Sequence, residues 1–246
     1  LSVSPAAAEG HKAPPAQKWG FEGIFGTIDM AAAQRGFQVC SEVCAACHSM
    51  KFLHYRDLEG IGLTPAQIKA VAAAVEVPLG LNDAGEPKVG PATPASQFRS
   101  PYPNDLAARA ALNGALPPDL SLIVKSREEH EDYVYSILTG FGQKPPANEK
   151  MARGMNYNPY FPRHQIAMPP PLSEGSVMYS DGTKATVEQE AHDVVTFLTW
   201  AGEPKMEERK RIGFGVMVFL IALATAFPVA VLTWSGVAGV NKSYYD

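Results

Sequence analysis

Apolar residues recur at helical spacing in five stretches of the chain, and each stretch begins at a residue that commonly caps helices. The first follows Asp29 and runs to about Ser41, with one buried stripe expected at Ala33, Phe37, Cys40 and Cys44. Three others follow a Ser/Thr-x-x-Glu/Gln capping box and one follows an asparagine. These four helices are predicted over residues 64–77, 104–114, 126–140 and 186–204.

Between these helices the chain is rich in proline and glycine and lacks periodicity, notably over residues 9–28, 78–103 and 141–185. We interpret the first segment as an extended arm and the other two as long loops laid over a core. Loops of such length usually carry function or are disordered. No stretch shows a convincing strand pattern, so the sequence predicts a mainly α fold.

The last apolar stretch differs from the others, because residues 212–234 contain no charged side chain. At about 1.5 Å per residue they reach roughly 34 Å, and a bilayer core is about 30 Å thick. A buried soluble helix would need a bundle around it. We therefore predict one transmembrane anchor, with a kink expected at Pro228 and Trp234, Tyr244 and Tyr245 suited to the membrane interface.

Charge divides the chain in the same place. The formal net charge is −4, and the residues beyond position 208 contribute +3, so residues 1–208 carry −7. This acidic part argues against nucleic acid as a partner and favours a basic protein. The predicted domains are an arm at 1–28, a globular domain at 29–208, and an anchor with a short tail at 209–246.

One motif carries the chemistry, Cys44-Ala45-Ala46-Cys47-His48. Two cysteines three apart with a histidine directly after them form the attachment signature of c-type haem. The thiols add to the two vinyl groups, and the imidazole becomes the proximal iron ligand. A zinc half-site or a redox pair would need partners, and Cys40 stands too close to supply them. We predict one covalently bound haem c, with Cys40 a small packed residue that lacks a disulfide partner.

The sixth iron ligand must come from elsewhere in the chain. An electron-transfer haem commonly has Met/His ligation, and the long loop offers four methionines. We favour Met168, because Met168-Pro169-Pro170-Pro171 is rigid and lies just before the last helix of the domain. His164 is the rival donor, and the other three methionines are Met151, Met155 and Met178.

A helix before the haem motif and another near the end of the domain resemble the class I cytochrome c arrangement, in which the two terminal helices cross. We expect Gly36 to let Phe197 or Trp200 approach closely at the crossing.

Two arguments about the orientation of the span in the membrane disagree. Four cations precede the span and one follows it, which alone would place the domain in the cytoplasm. Haem of this type is attached outside the cytoplasm, so we predict a periplasmic domain and a single-pass anchor in a bacterial inner membrane.

The first residues, Leu1 to Ala8, suit either the end of a signal peptide or a short mature N-terminus, and the sequence leaves both open. The absence of an initiator methionine favours a processed, exported protein.

Several motifs, in this order, resemble the cytochrome c1 family over nearly the whole chain. They are Arg35-Gly36-Phe37-Gln38-Val39, the segment from Cys44 to Met50, Asn113-Gly114-Ala115-Leu116-Pro117-Pro118-Asp119-Leu120-Ser121, Glu131-Asp132-Tyr133-Val134, Asn158-Pro159-Tyr160-Phe161-Pro162 and the Met168 loop. This family provides the haem subunit of ubiquinol–cytochrome c oxidoreductase in mitochondria and alphaproteobacteria.

The resemblance implies an anchor beside cytochrome b in a dimeric complex, electron uptake from a Rieske iron–sulfur protein and delivery to a soluble cytochrome c. It also implies that Arg127 and Tyr133 lie at the haem propionates, and that a carbonyl of Pro117-Pro118 orients the His48 ring. Some bacterial members resemble this chain but carry a disulfide near the methionine loop. This chain has no cysteine there, so we expect proline and packing to hold its loop.

The chain would do no bond chemistry by itself. Two other functions stay open at this point. One is a free-standing anchored cytochrome that feeds a terminal oxidase, and co-purification with cytochrome b discriminates. The other is a haem-based gas sensor, which a spectrum unchanged by carbon monoxide would exclude.

Overall fold

The computed structural model describes residues 12–147 and 149–242. Within these, residues 12–18 and 28–204 form one compact unit, and residues 19–27 and 205–242 form a second. The sequence prediction had assigned residues 19–27 to the arm, whereas here they belong with the C-terminal helix. The predictions for Leu1 to Ala8, Tyr244 and Tyr245 fall outside the described residues.

The first unit is built on helices joined by long loops, as predicted. Helix α1 begins after Asp29, whose carboxylate accepts hydrogen bonds from the Ala31 and Ala32 amides. The five helices of this unit are α1 (Met30–Glu42), α2 (Pro65–Ala73), α3 (Asp105–Ala111), α4 (His130–Thr139) and α5 (Val187–Gly202). A 3₁₀ turn at Cys44–Ala46 follows α1 directly, and a longer one spans Tyr55–Ile61.

Helices α1 and α5 cross, and Gly36 makes their close approach possible. A Cβ at position 36 would lie 1.9 Å from the Asp193 carbonyl oxygen and 2.8 Å from Phe197 Cβ. The prediction for Phe197 is therefore correct. Trp200 instead covers Gly60, where a Cβ would lie 2.8 Å from the indole ring. The crossing of the two terminal helices confirms the predicted fold class, a mainly α domain of the class I cytochrome c type with long loops.

An ion pair bridges the same crossing. The Arg35 guanidinium donates two hydrogen bonds to Asp193, at 2.8 and 2.9 Å, and a third to Asp181 at 3.0 Å. The Asp193 side chain is fully buried, so its charge needs this partner. Gln189 Nε2 also donates to Asp193. Gln189 thus completes only half of the predicted capping box, in which its amide hydrogen bonds to Thr186.

Two expectations about helix ends and strands are wrong. Helix α2 ends at Ala73 rather than near Val77, and the following residues form an antiparallel hairpin of β1 (Glu76–Leu81) and β2 (Pro87–Pro91). The Asn82 side chain accepts hydrogen bonds from the Ala84 and Glu86 amides and so closes the turn. Most of the hairpin is exposed on both faces, which explains why no alternation of apolar and polar residues predicted it.

The start of α4 also differs from the prediction. Ser126 does not cap this helix; its hydroxyl donates to the Ile123 carbonyl instead. The helix begins at His130, and both Glu129 and His130 have positive φ, 55° and 46°. This left-handed step redirects the chain before the first helical turn, so the capping-box pattern is present in the sequence without its geometry. The predicted end at Gly140 is correct.

The long loop after α4 is organised by a second small sheet. Strands β3 (Asn156–Tyr157) and β4 (Gln165–Ile166) pair antiparallel, and a 3₁₀ turn at Pro162–His164 connects them. Asn158, fully buried, donates to the Ile137 carbonyl of α4 at 2.8 Å. The loop is therefore anchored to the helix that precedes it.

The second unit contains the long helix α6 (Met206–Lys242). Its segment Met206–Trp234 contains a stretch long and apolar enough to cross a membrane, and none of that stretch is buried within the protein. This agrees with the predicted C-terminal span. Pro228 lies inside the helix.

Candidate haem-binding site

The two cysteines of the motif are presented by one turn of 3₁₀ helix at the end of α1. The amides of Cys47 and His48 both donate to the Cys44 carbonyl, at 3.1 and 2.9 Å. Both cysteines are free thiols; Cys44 is half-buried and Cys47 is exposed. The tight turn keeps the thiols and the imidazole within one short segment, which is what attachment to a single haem requires.

The His48 ring is oriented by a backbone carbonyl from a distant segment. Its Nδ1 lies 2.8 Å from the Pro118 carbonyl oxygen. A carbonyl only accepts, so Nδ1 carries the proton and Nε2 is left with a lone pair. Burial, the largest influence, lowers the pKa of His48, although Pro118 and Asp119 act to raise it. The imidazole is therefore neutral near pH 7, the form that coordinates a metal.

Asp119, next in the chain, ties the two segments together. Its carboxylate accepts from the Ser49 hydroxyl at 2.8 Å, the Lys51 amide at 2.9 Å and the Ser121 amide at 2.9 Å. Burial would raise the pKa of Asp119, but these hydrogen bonds outweigh it and lower the pKa. Asp119 lies in one of the motifs found in the sequence, but no role was predicted for it. Its only local signal is the Asp-x-Ser turn, and the partners 68 to 70 residues away become visible only in the fold.

Met168 lies half-buried against an apolar cluster. The buried members of this cluster are Ile137, Tyr160 and Ile166, and Tyr133 packs against it as well. The Met168 carbonyl accepts a hydrogen bond from Asn156 Nδ2 at 3.2 Å. Sheet pairing, this hydrogen bond and the cluster hold the loop without a disulfide, in agreement with the expectation from the sequence.

Arg127 and Tyr133 lie close enough to influence each other. Burial raises the pKa of Tyr133, and the nearby Arg127 charge partly opposes that rise. Tyr133, in α4, packs against the same cluster as Met168. The structure thus places Tyr133 in one cluster with Met168 and within electrostatic range of Arg127, and it brings His48, Pro118 and Asp119 into a second group. The short segment between Asp119 and Arg127 joins the two groups.

The rival ligands have other surroundings. His164 Nδ1 lies 3.1 Å from Glu149 Oε1, and its ring meets Tyr157 edge-on. Met178 is 88 % exposed, and Met155 is also exposed. Met151 lines a small open cavity together with Met155. Of these candidates, only Met168 is found among the described residues that pack against the apolar cluster of Ile137, Tyr160 and Ile166. Its role as the sixth ligand stays a prediction.

Cys40 is buried, as predicted for a packed residue. Its sulfur lies 3.5 Å from the Met50 sulfur.

Comparison with known proteins was made on the whole sequence. The sequence model of the Cytochrome C1 family matches residues 19–236. The chain belongs to the cytochrome c1 family. Cytochrome c1-2, heme protein, mitochondrial, from Solanum tuberosum is 48 % identical over 222 residues, which is 90 % of this chain and 85 % of that protein. The family confirms the resemblance inferred from the motifs, and the predicted c-type haem agrees with it.

Two further relatives come from a yeast and a bacterium. Cytochrome c1, heme protein, mitochondrial, from Saccharomyces cerevisiae is 44 % identical over 232 residues, 94 % of this chain and 75 % of that protein. Cytochrome b/c1 from Bradyrhizobium diazoefficiens is 46 % identical over 239 residues, 89 % of this chain but only 35 % of that protein. The relatives of this chain therefore include mitochondrial proteins and a bacterial one.

Proposed function

We propose that this chain is the haem c electron carrier of a quinol–cytochrome c oxidoreductase, or bc1, complex. It takes electrons from the Rieske iron–sulfur protein and passes them to a soluble cytochrome c. The observation that carries the proposal is the Cys44–His48 motif in a cytochrome c1 family member, with Pro118 orienting the His48 ring. The names of two relatives support it, cytochrome b/c1 and, from Candida albicans, cytochrome b-c1 complex catalytic subunit.

Each site residue has a proposed role. Cys44 and Cys47 would hold the haem through thioether bonds, and His48 Nε2 and the Met168 thioether would be the donors to its iron. The free thiols and the lone pair on His48 Nε2 form a donor set that fits this cofactor. Arg127 and Tyr133 would hydrogen bond to the propionates, and their mutual proximity in a half-buried setting is consistent with that role.

When bound, the haem supplies a one-electron couple at low reorganisation cost, and the chain performs no bond chemistry of its own. The protein contributes ligand geometry and surroundings. Pro118 keeps His48 in one tautomer, Asp119 fixes the segment on either side of the ligand, and the Tyr133 cluster supports the methionine loop.

We further propose that helix α6 anchors the chain beside cytochrome b in a dimeric complex, in a bacterial inner membrane. The domain of residues 29–208 would lie in the periplasm, where c-type haem is attached. The tail of 209–246 would comprise the anchor and a short cytoplasmic end. The exposed apolar surface of α6 supports an anchor, since its side chains find no cover inside this chain over the described span.

Purification of the tagged chain from its native membranes tests the proposal. We expect cytochrome b to co-purify and the haem of this chain to be reduced by quinol in a manner blocked when the iron–sulfur protein is removed. A spectrum unchanged by carbon monoxide would accompany this result. Purification without cytochrome b, together with quinol-independent reduction, would contradict membership of such a complex.

A further inference from the structure

The loop Trp19–Thr27, which precedes the haem domain in sequence, folds onto the first turns of helix α6. Its ends are tied together by a hydrogen bond from the Thr27 amide to the Gly20 carbonyl, at 3.1 Å. The ring of Trp19 stacks on that of Phe21 at 5.5 Å, and both side chains are buried. Loops closed in this way and packed by their own side chains are often functional. We call residues 19–27 the anchor loop.

A lysine of the helix clamps the anchor loop. The Lys210 ammonium donates hydrogen bonds to the carbonyl oxygens of Phe21 and Gly26, the second at 3.2 Å. Position 26 admits only glycine, because a Cβ there would lie 2.0 Å from the Glu22 carbonyl oxygen. The chain therefore folds sharply enough to aim two carbonyls at one cation. The loop is held in place on the helix.

The tip of this clamped loop is apolar and exposed. Ile24 is 61 % exposed and Phe25 is 80 % exposed. The Phe25 ring nevertheless meets the Phe214 ring of α6 edge-on, at 5.5 Å between centroids. Phe214 is the third residue of the charge-free stretch that begins at Ile212. At about 1.5 Å per residue, Phe214 lies roughly 3 Å past the start of that stretch.

The tip thus adjoins the start of the charge-free stretch of α6. Lys210, four residues before Phe214, is directed to the loop carbonyls, and Arg211 beside it is exposed. An apolar tip with basic residues one turn away is the arrangement of a segment that lies in the membrane interface. Transfer of such apolar side chains from water to an apolar medium is favourable.

We propose that the anchor loop is a membrane-interface wedge, which inserts Ile24 and Phe25 among the lipid chains beside the anchor and is held there by Lys210. The occupant of this surface is the bilayer and not a protein. The wedge gives the chain a second, rigid contact with the membrane in addition to its span. This inference rests on the proposed membrane anchoring by α6.

Cysteine accessibility tests the wedge in the full-length holoprotein. We would place Phe25→Cys in vesicles of phosphatidylcholine with one-fifth phosphatidylglycerol. The sample would be treated with a charged, membrane-impermeant thiosulfonate or a neutral, lipid-soluble maleimide. The matched control is Leu106→Cys, an apolar residue of α3 that is 78 % exposed in the other unit. The unsubstituted chain gives the background from buried Cys40.

We expect the charged reagent to label position 25 at least tenfold more slowly than position 106, while the neutral reagent labels both. Equal labelling by the charged reagent would mean that the tip is in water, which overturns the proposal. Failure of both reagents at position 25 would mean that protein covers the tip, which overturns it too. Leu223→Cys, near the middle of the span, distinguishes a failure of the wedge proposal from a failure of the proposed membrane anchor. If the charged reagent also labels position 223, the middle of α6 is in water, and the proposed membrane anchor is wrong as well.

The clamp is tested by Lys210→Met, which keeps the length of the side chain and removes its donors. We expect the protection of Phe25→Cys from the charged reagent to fall several-fold, because the loop leaves the helix. Arg211→Met, the neighbouring exposed cation, should leave the protection unchanged. The haem absorption spectrum reports that each variant is folded. Equal protection in the Lys210→Met and unsubstituted backgrounds would rule out the clamp.

Discussion

At the scale of single residues, the site depends on how a few polar groups hold two iron-ligand candidates. His48 owes its tautomer to the Pro118 carbonyl, and Asp119 braces the same segment through Ser49 and Lys51. Met168 depends on packing and on one hydrogen bond from Asn156. The proposed proximal ligand is therefore held by polar contacts and the proposed distal ligand mainly by apolar ones. A distal-ligand variant should leave the proximal side intact.

Met168→Leu should keep its haem and lose electron throughput. Cys44 and Cys47 hold the cofactor covalently, and leucine has a similar volume, so the packing loss should be modest. What disappears is the thioether that favours ferrous iron. Axial ligation moves haem potentials over about 0.8 V, and a quarter of that range, roughly 200 mV, exceeds three decades at about 59 mV per decade. A redox titration followed by the cytochrome c reductase rate measures both effects.

The control is Met178→Leu, because Met178 belongs to the same long loop and is 88 % exposed. It should change neither the potential nor the rate. If Met168→Leu retains the potential and the thioether-to-iron absorption of the oxidised state, Met168 is not the ligand. Met151, Met155 and His164 would then be tested in turn.

At the scale of elements, the crossing of α1 and α5 is the feature that places the haem motif. The 3₁₀ turn of Cys44 begins where α1 ends, so any shift of α1 shifts the attachment site. Backbone contact at Gly36 and the buried Arg35–Asp193 pair both act at this crossing. Protein interiors are close-packed, so the crossing has no space for an added methyl group and the two helices cannot slide past each other.

Gly36→Ala should separate the two helices and destabilise the haem domain. A Cβ at 1.9 Å from the Asp193 carbonyl oxygen meets backbone and not a flexible side chain. Overpacking of this kind costs about 1–3 kcal/mol or more. The denaturation midpoint of the detergent-solubilised holoprotein should fall, and less haem-containing chain should accumulate in the membrane.

Gly202→Ala provides the matched control at the other end of α5. There the nearest atoms to an added Cβ lie at 3.7 Å, an ordinary contact distance. We expect no loss of stability, and a gain of up to about 1 kcal/mol from the less flexible unfolded chain. An unchanged midpoint in Gly36→Ala would show that the crossing is looser than the structure indicates.

At the scale of the whole molecule, the chain consists of an acidic haem unit and a second unit that carries the span. The proposed topology puts residues 1–208 in the periplasm and the end of α6 near the cytoplasmic face. Protease added to right-side-out spheroplasts should release a haem-containing fragment, because c-type haem is attached on that side. Inverted vesicles should protect the same fragment. The opposite pattern of protection would reverse the topology.

The net charge of −7 on residues 1–208 predicts steering of a basic cytochrome c. Four acidic residues follow Ser126 closely, namely Glu128, Glu129, Glu131 and Asp132. Glu128 and Glu129 are exposed, whereas Asp132 is half-buried and accepts a hydrogen bond from the Gln17 amide. Exposed acids before a helix are also favoured by the helix dipole alone. The rate of reaction with a basic acceptor therefore has to decide whether these residues steer it.

We expect the second-order rate with a basic acceptor to fall at least about tenfold between 0.01 M and 1 M salt, as the screening length drops from about 30 to about 3 Å. Glu128→Gln should lower the rate at low salt and leave it unchanged at high salt. An uncharged small-molecule acceptor is the control and should show no salt dependence. A salt-independent rate with the basic acceptor would exclude steering.

Sequence by itself determined the features that depend on local chemistry or on composition. The haem motif needs only the spacing of Cys44, Cys47 and His48, and the span needs only an uncharged run of sufficient length. The start of α1 follows from the Asp29 cap. The prediction that the chain has no strands was wrong, because an exposed hairpin and a sheet of two-residue strands leave no periodic apolar pattern.

Tertiary structure decided which distant groups meet. Three contacts join residues more than 65 positions apart: the Asp119–Ser49 hydrogen bond, the Arg35–Asp193 pair and the close contact between Gly36 and Asp193. No local pattern encodes such pairings. The same holds for the left-handed step at Glu129, which overrode the capping box at Ser126. It holds also for Lys210, one of the four cations before the span, whose hydrogen bonds to two loop carbonyls only the fold shows. Periodicity reports which face of an element is apolar; only packing selects what covers it.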